Sequence, residues 1–162
     1  MNRVSREGLG VLLERGAVFY DFPGNSIREI LEALVAKIPT LPSTPPIEDL
    51  LEAVLEREAL MSTGIGHGIA IPHPRNPMAA NLEEQFAILA FLKNPVDWKA
   101  LDAKPVDTVL FIVSSSAKSH LKILSGITFF CQNEAFLKLL RDRAPGETLI
   151  AFIKDTEREW ET

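Results

Sequence analysis

The chain is poor in the features that mark secreted, membrane-bound and nucleic-acid-binding proteins. Of its 162 residues only Cys131 is a cysteine, which excludes an internal disulfide framework. No apolar run approaches the ~20 residues of a bilayer-spanning helix, and no basic and apolar N-terminal segment predicts a signal peptide. The net charge of −5 argues against nucleic-acid binding, which needs a basic face. We therefore expect a cytoplasmic protein without direct membrane insertion or a nucleic-acid partner.

Strands and helices are predicted to alternate along the chain. Short, almost continuously apolar runs predict strands that are covered on both faces, whereas apolar residues at helical spacing behind a Ser or Asn cap predict amphipathic helices. The predicted strands are Gly16–Phe22, Gln85–Leu92 and Val106–Val113. The predicted helix starts are Ser26 with Glu29 as a capping box, Thr44 within the Pro39–Pro46 loop, Ser114–Ser116 and Asn133. Pro145–Gly146 is predicted to end the helix that Asn133 caps, and Leu149, Ile150 and Ile153 predict a last amphipathic helix. This alternation predicts an α/β domain with helices packed on a sheet, and the length predicts a single domain.

The segment Gly64–Arg75 contains two of the three histidines and three glycines, and its apolar stretch stops at Pro72-His73-Pro74. A neutral imidazole is a good nucleophile near pH 7 and can accept a phosphoryl group, a transfer that depends on positioning and charge stabilisation. An acceptor on the second ring nitrogen of His73 would fix the tautomer and free the attacking nitrogen. The glycine loop would offer backbone N–H groups beside it. The alternative is a hydrogen-bonded histidine at a strand end with no chemical role.

Three further residues are candidates for the same site. The Arg57 guanidinium can bind phosphate oxygens bidentately, although a solvated charge within Glu56-Arg57-Glu58 is the alternative. The Thr63 hydroxyl can donate to a phosphate oxygen or simply cap the loop. His120 is predicted in the first turn of a helix, where the N–H groups and the helix dipole favour an anion; otherwise it is a partly buried helix-start histidine. His67 is interpreted as an exposed residue of the glycine loop.

Three other kinds of site are disfavoured. The histidines lack the short spacing or acidic partners of a zinc site. Cys131 lies on the apolar stripe of a predicted helix and is interpreted as a core residue. The glycine loop lacks the Gly-Lys-Ser/Thr sequence of a nucleotide-binding loop.

Four blocks of the sequence resemble a known family. They are Glu56–Gly66, Gly68–His73, Asp102–Asp107 and His120–Leu124. Their order and spacing resemble IIA domains of the bacterial phosphoenolpyruvate-dependent sugar phosphotransferase system (PTS), fructose/mannitol type, a group that includes the nitrogen-regulatory IIA proteins. The resemblance extends from about residue 9 to 155, and its Ser-Thr-Gly-Ile-Gly and Ile-Pro-His elements are the most specific.

The resemblance implies a central mixed β-sheet flanked by helices, in one PTS IIA type-2-like domain spanning residues 1–162. It implies that His73 is phosphorylated through Nε2 by a phosphorylated HPr-like carrier protein. Arg57 and His120 correspond to the family's site arginine and second site histidine, and no metal or organic cofactor is expected. Two departures concern the choice of partner: Ser114–Ser116 stands where proline is frequent, and Pro74 where glycine is frequent.

The resemblance leaves two functions open. The chain has no Cys-x-x-Gly segment of the IIB type and no membrane domain, so we expect a free-standing IIA protein. That expectation favours a nitrogen-regulatory phosphocarrier that acts through protein–protein interaction. The alternative is the IIA component of a fructose/mannitol-type sugar uptake system, passing phosphate to the cysteine of a separate IIB protein. In both cases the chain is a phosphotransferase component rather than a stand-alone enzyme, and the sequence names neither the sugar nor the regulatory partner.

Overall fold

The computed structural model describes residues 8–41 and 49–160. In these ranges the helices are α1 (Leu9–Arg15), α2 (Ile27–Lys37), α3 (Leu50–Leu60), α4 (Ala117–Cys131), α5 (Glu134–Arg141) and α6 (Gly146–Glu159). The strands are β1 (Ala17–Phe22), β2 (Gly64–Gly66), β3 (Ile69–Ala70), β4 (Phe86–Val96) and β5 (Val106–Val113), with single 3₁₀ turns at Ile38–Thr40 and Leu82–Glu84. No helix among the described residues is long and apolar enough to cross a membrane.

The five strands form one mixed sheet in the order β1-β4-β5-β3-β2. β4 runs antiparallel to β5, and β2 antiparallel to β3, whereas β1 is parallel to β4 and β3 is parallel to β5. The predicted central mixed sheet flanked by helices is confirmed. Because β3 and β5 are parallel, the segments that follow them emerge at the same edge of the sheet.

Helices cover both faces of the sheet, and each face has its own hydrophobic core. Along β4 the side chains alternate between the two cores, as the pleat of a strand requires: Phe86, Ile88 and Ala90 lie in one, and Ala87, Leu89 and Phe91 in the other. The first core also takes the buried faces of α2 and α3, and the second those of α1, α4, α5 and α6. Burial on both faces explains why β4 and β5 read as continuous apolar runs.

The predicted caps of three helices are confirmed. The side chains of Ser26, Ser116 and Asn133 each accept a hydrogen bond from the backbone N–H three residues on. The Glu29 carboxylate accepts from the N–H of Asn25, one residue before the usual capping-box partner. The predicted start at Thr44 lies outside the described residues, and the described part of that helix begins at Leu50.

Two elements differ from the sequence-based prediction. Helix α1 was not predicted, and β4 continues to Val96 rather than ending at Leu92. Gly16 joins α1 to β1, and a Cβ atom there would overlap the Ala87 carbonyl oxygen. Because Gly16 has no side chain, this connection lies directly against β4. Such a contact between distant segments cannot be predicted from a local sequence pattern.

Candidate active site

The candidate residues gather where β3 and β5 end. Past β3 the pairing continues, because the Ile112 N–H donates to the Pro72 carbonyl over 3.1 Å. His73 follows directly, while β5 leads through Ser114 into α4 and His120. On the other side of β3, the Ile71 N–H donates to the Thr63 carbonyl over 3.0 Å. The sheet thus brings three sequence-distant segments to one edge, the position at which α/β sheets commonly bind ligands.

The His73 ring is held in one tautomer. Its Nδ1 lies 2.8 Å from the Ile71 carbonyl oxygen, and the residue is 8% exposed. A carbonyl can only accept, so Nδ1 carries the proton and Nε2 keeps its lone pair. Burial lowers the pKa of His73, and the Arg57 cation acts in the same direction, against the opposing effects of the Ile71 carbonyl and Glu58. The ring is therefore neutral at neutral pH, with a lone pair on Nε2.

The structure places His120 beside His73. The two ring centroids are 4.6 Å apart, and the rings are tilted by 47°. His120 lies in the first turns of α4, where its N–H donates to the Ser116 carbonyl. Burial, with His73 and Arg57 nearby, lowers the pKa of His120 to about 4. His120 is thus a neutral ring whose Nδ1 lies 3.4 Å from the Ser114 hydroxyl.

Arg57 brings a positive charge to the two histidines. Its position in the last turn of α3 is partly buried, and Nη1 donates to the Met61 carbonyl over 2.7 Å. This bond folds the side chain over the segment that leads into β2. The charge contributes to lowering the pKa of both His73 and His120, and the guanidinium has further N–H groups that can bind an anion.

The structure gives Thr63 the second of its two predicted roles, hydrogen bonding within the loop after α3. The residue is 3% exposed, its hydroxyl donates to the Glu58 carboxylate over 2.5 Å, and its N–H donates to the same carboxylate over 2.8 Å. The hydroxyl oxygen also accepts from Nε1 of the fully buried Trp98 over 3.3 Å. Because its hydroxyl proton is donated to Glu58, the arrangement favours the loop-capping alternative over donation to a phosphate oxygen. Thr63 instead ties α3, and with it Arg57, to the start of β2.

Replacing Thr63 with valine is expected to destabilise the fold by about 1–3 kcal/mol, because the buried Trp98 N–H and one Glu58 oxygen lose their partner. For a domain of this size the melting midpoint should fall by roughly 2–4 °C per kcal/mol. Thermal unfolding followed by circular dichroism measures the loss, and Thr63→Ser, which keeps the hydroxyl, is the matched control. Unchanged stability in the valine variant would contradict the structural role.

The glycine segment is a β-hairpin rather than a loop around His73. β2 and β3 pair antiparallel, and the two turn residues, His67 and Gly68, both have positive φ values of 56° and 74°. Such a two-residue turn favours glycine at the second position. The turn lies at the start of β3 and His73 follows its end, roughly 16 Å away at about 3.3 Å per residue. The turn glycines therefore do not line the site, and His67 is exposed at the turn, as predicted.

The described residues can also be compared with two of the disfavoured kinds of site, a metal site and a reactive cysteine. Within ranges 8–41 and 49–160, no three His, Cys, Asp or Glu side chains are grouped so as to hold a metal ion. Cys131 is buried in the second core, and burial raises the pKa of its thiol to about 11. At neutral pH that thiol is protonated and unreactive.

The sequence-based prediction missed four contributors. The Ile71 carbonyl, the Glu58 carboxylate, the Ser114 hydroxyl and the Trp98 indole each contact a candidate residue. Glu58 and Ser114 lie next to residues already singled out, yet nothing in their spacing marks them. Their partners become visible only when the sheet edge is assembled.

Relatives of the chain carry one recurring name. It is 34% identical over 131 residues to the nitrogen regulatory protein of Escherichia coli K12, covering 80% of this chain and 77% of that protein. It is 29% identical over 148 residues to the nitrogen regulatory protein of Pseudomonas aeruginosa, covering 90% of this chain and 94% of that protein.

Solved structures share the fold. The nitrogen regulatory IIA protein of Neisseria meningitidis matches with a TM-score of 0.73 and 25% identity, over 89% of this chain and 97% of that one. The mannitol IIA of Escherichia coli matches with a TM-score of 0.62 and 18% identity, over 78% and 86% of the two chains. Residues 11–156 match the family described as phosphoenolpyruvate-dependent sugar phosphotransferase system, EIIA 2. With the family matched across both helical layers and the sheet, the chain belongs to the EIIA 2 family of that phosphotransferase system.

Proposed function

We propose that this protein is a cytoplasmic phosphocarrier of the nitrogen-regulatory IIA type, which accepts a phosphoryl group on Nε2 of His73 from a phosphorylated HPr-like protein. The observation that carries the proposal is the fixed tautomer of His73. Its Nδ1–H is donated to the Ile71 carbonyl over 2.8 Å, and none of the described residues hydrogen-bonds Nε2. The nucleophilic nitrogen is therefore prepared before any partner arrives.

The transfer is balanced without an outside proton. The lone pair of His73 Nε2 forms the new N–P bond as the N–P bond of the donor's phosphohistidine breaks, and that electron pair returns to the donor ring. A donor ring protonated on its other nitrogen leaves as neutral imidazole. His73 keeps its Nδ1–H and becomes positively charged, and the Ile71 carbonyl, which accepts that N–H, stabilises the charge.

Arg57 and His120 are suited to the charge on the moving phosphoryl group. Phosphoryl transfer spreads negative charge over three equatorial oxygens, and catalysis consists mostly of positioning and charge stabilisation. Arg57 and His120 can both donate to these oxygens, and the His120 ring centre is 4.6 Å from that of His73. Both groups are held by backbone or buried partners, so little reorganisation is needed during transfer.

Exposed apolar side chains lie next to Arg57 and His120 along the chain and suit a protein donor. Leu60, Met61 and Leu121 are 62%, 68% and 66% exposed. The first two follow Arg57 at the end of α3, and Leu121 follows His120 on α4. Monomeric proteins seldom leave large apolar side chains grouped around a polar centre unless the surface meets a partner. We therefore infer that a protein donor docks here.

The next acceptor distinguishes regulation from sugar transport. Relatives named nitrogen regulatory protein support the first. Similarity to an Escherichia coli EIIABC component specific for 2-O-alpha-mannosyl-D-glycerate, 26% identical over 91% of this chain but only 22% of that protein, supports the second. A solved complex of mannitol IIA with phosphorylated IIB provides the geometry of such a transfer in that system. Rapid phosphate transfer to a supplied IIB protein would favour transport.

We expect the protein to become labelled on His73 when it is incubated with labelled phosphoenolpyruvate, enzyme I and an HPr-type carrier. The label should be acid-labile, as an N–P bond is, and peptide mapping should place it on the peptide that contains Pro72-His73-Pro74. Omitting the carrier should prevent labelling, because the apolar surface is suited to a protein donor. Label on another residue, or none at all, would overturn the proposal.

A further inference from the structure

The two site histidines are held by different kinds of partner. Nδ1 of His73 faces a carbonyl oxygen, which can only accept a hydrogen bond. Nδ1 of His120 faces the Ser114 hydroxyl, which can donate or accept by rotating its proton. Thus the partner of His73 fixes one tautomer, whereas the partner of His120 can serve the ring in either protonation state.

Before phosphorylation, we expect the Ser114 hydroxyl to donate its proton to Nδ1 of His120. The groups that face His120 are His73 after β3 and Arg57 on α3, with Glu58 acting on His73 from the same helix. Arg57 and burial keep His120 neutral at neutral pH. If Ser114 donates to Nδ1, the single ring proton lies on Nε2, the nitrogen that can reach a neighbouring phosphoryl oxygen.

A phosphoryl group on His73 reverses the electrostatic balance. At neutral pH it adds up to about two negative charges close to the His120 ring. An opposite charge at this range raises the pKa of a histidine by about 1–3 units. A ring that gains a proton must donate from both nitrogens: Nε2–H to the phosphoryl oxygen and Nδ1–H to the Ser114 oxygen.

We propose that Ser114 is a positioning residue that holds His120 as the Nε2–H tautomer before phosphorylation and accepts its Nδ1–H afterwards, so that phosphorylation of His73 is coupled to proton uptake by His120. The proton comes from solvent, and no covalent bond other than N–H is formed in this step. The inference rests on the proposed function, because it requires His73 to be the phosphoryl acceptor.

The side chain of Ser114 can be tested separately from its backbone. Its carbonyl accepts the N–H groups of Met78 and Ala79 over 3.1 and 3.0 Å, and an alanine would keep both bonds. The hydroxyl, in contrast, has His120 as its side-chain partner, and the residue is 3% exposed. Ser114→Ala therefore removes one hydroxyl from a site whose fold is supported by the backbone, and Ser114→Thr restores it.

The experiment records ¹⁵N chemical shifts of the His120 ring by NMR, before and after phosphorylation, from pH 4 to 8. In the unphosphorylated wild type we expect the Nε2–H tautomer. Phosphorylation should raise the titration midpoint of His120 from about 4 by about 1–3 pH units, so that near pH 5 the ring changes from mostly neutral to at least half protonated. Ser114→Ala should shift the tautomer ratio by about 2- to 10-fold towards Nδ1–H, and Ser114→Thr should recover the wild-type ratio.

The outcomes distinguish failure of the inference about Ser114 and His120 from failure of the proposed function. A wild-type ring that is Nδ1–H before phosphorylation, or that stays neutral afterwards, overturns the inference without any variant. So does Ser114→Ala with an unchanged tautomer ratio. Failure of the wild type to accept label on His73 overturns the proposed function instead, and the tautomer in the unphosphorylated protein still tests Ser114. An amide NMR spectrum of each variant establishes that it is folded.

Discussion

His73→Ala is expected to abolish phosphorylation by a phosphorylated HPr-like donor. The variant lacks the Nε2 lone pair of His73, which is free because the Ile71 carbonyl holds the ring proton on Nδ1. The neighbouring His120 does not replace it, since its position on α4 is set by Ser116 and Ser114 rather than by β3. Phosphoryl transfer with labelled phosphoenolpyruvate, followed by gel detection under alkaline conditions, measures the loss.

Two further variants make this result specific. His73→Gln keeps a side-chain N–H for the Ile71 carbonyl but has no nucleophilic nitrogen, so it too should accept no label. His67→Ala removes an imidazole from the exposed hairpin turn at the other end of β3, and should be labelled at the wild-type rate. Acid-labile label on a folded His73→Ala protein would show that the phosphoryl acceptor lies elsewhere.

Arg57→Met is expected to slow phosphoryl transfer by about 10²- to 10³-fold, the usual cost of removing one preorganised donor of charge stabilisation. Arg57 is the positive charge that acts on both His73 and His120. Methionine keeps the apolar part of the side chain but cannot donate to phosphoryl oxygens. Arg57→Lys should give an intermediate rate, since an ammonium group keeps the charge but loses the planar, bidentate geometry.

Rapid-mixing measurement of transfer from the phosphorylated carrier gives the rate, and Arg158→Gln is the matched control. Arg158 is an exposed arginine near the end of α6, paired with Asp155, so its loss changes the net charge equally without touching the site. The melting midpoint of Arg57→Met should stay close to that of the wild type, because the residue makes one exposed hydrogen bond, to Met61. A wild-type transfer rate in this variant would contradict the role of Arg57.

Local sequence signals predicted most of the regular structure. Strand β5 was predicted with its observed ends, because a short, mostly apolar run between polar loops is typical of a strand covered on both faces. The caps at Ser26, Ser116 and Asn133 were also predicted, since a cap bond spans only three residues. Helix α1 was missed because its start is held from a distance: the Glu157 carboxylate on α6 accepts the N–H groups of Leu9 and Gly10.

For the site residues as well, residue type was predictable from the sequence, whereas hydrogen-bond partners were not. His73, His120 and Arg57 were singled out by residue type and by family resemblance, and the structure brings all three together. The two predicted roles of Thr63 could be separated only in the structure, where its one hydroxyl proton is donated to Glu58 across the turn between α3 and β2. The glycines were misjudged because a hairpin and an anion-binding loop use the same residue type with different hydrogen-bond partners.

By itself the sequence determined most of the helices and strands, the residue types suited to phosphoryl chemistry, and the family to which the chain belongs, because these depend on residue type and short spacing. Only the tertiary structure decided which atoms meet. The parallel pairing of β3 with β5 places His73 beside His120, and a carbonyl and a hydroxyl then select the protonated nitrogen of each ring. Which nitrogen is protonated depends on distances between segments up to about 60 residues apart in sequence. A difference of a few tenths of an ångström decides whether such a hydrogen bond forms.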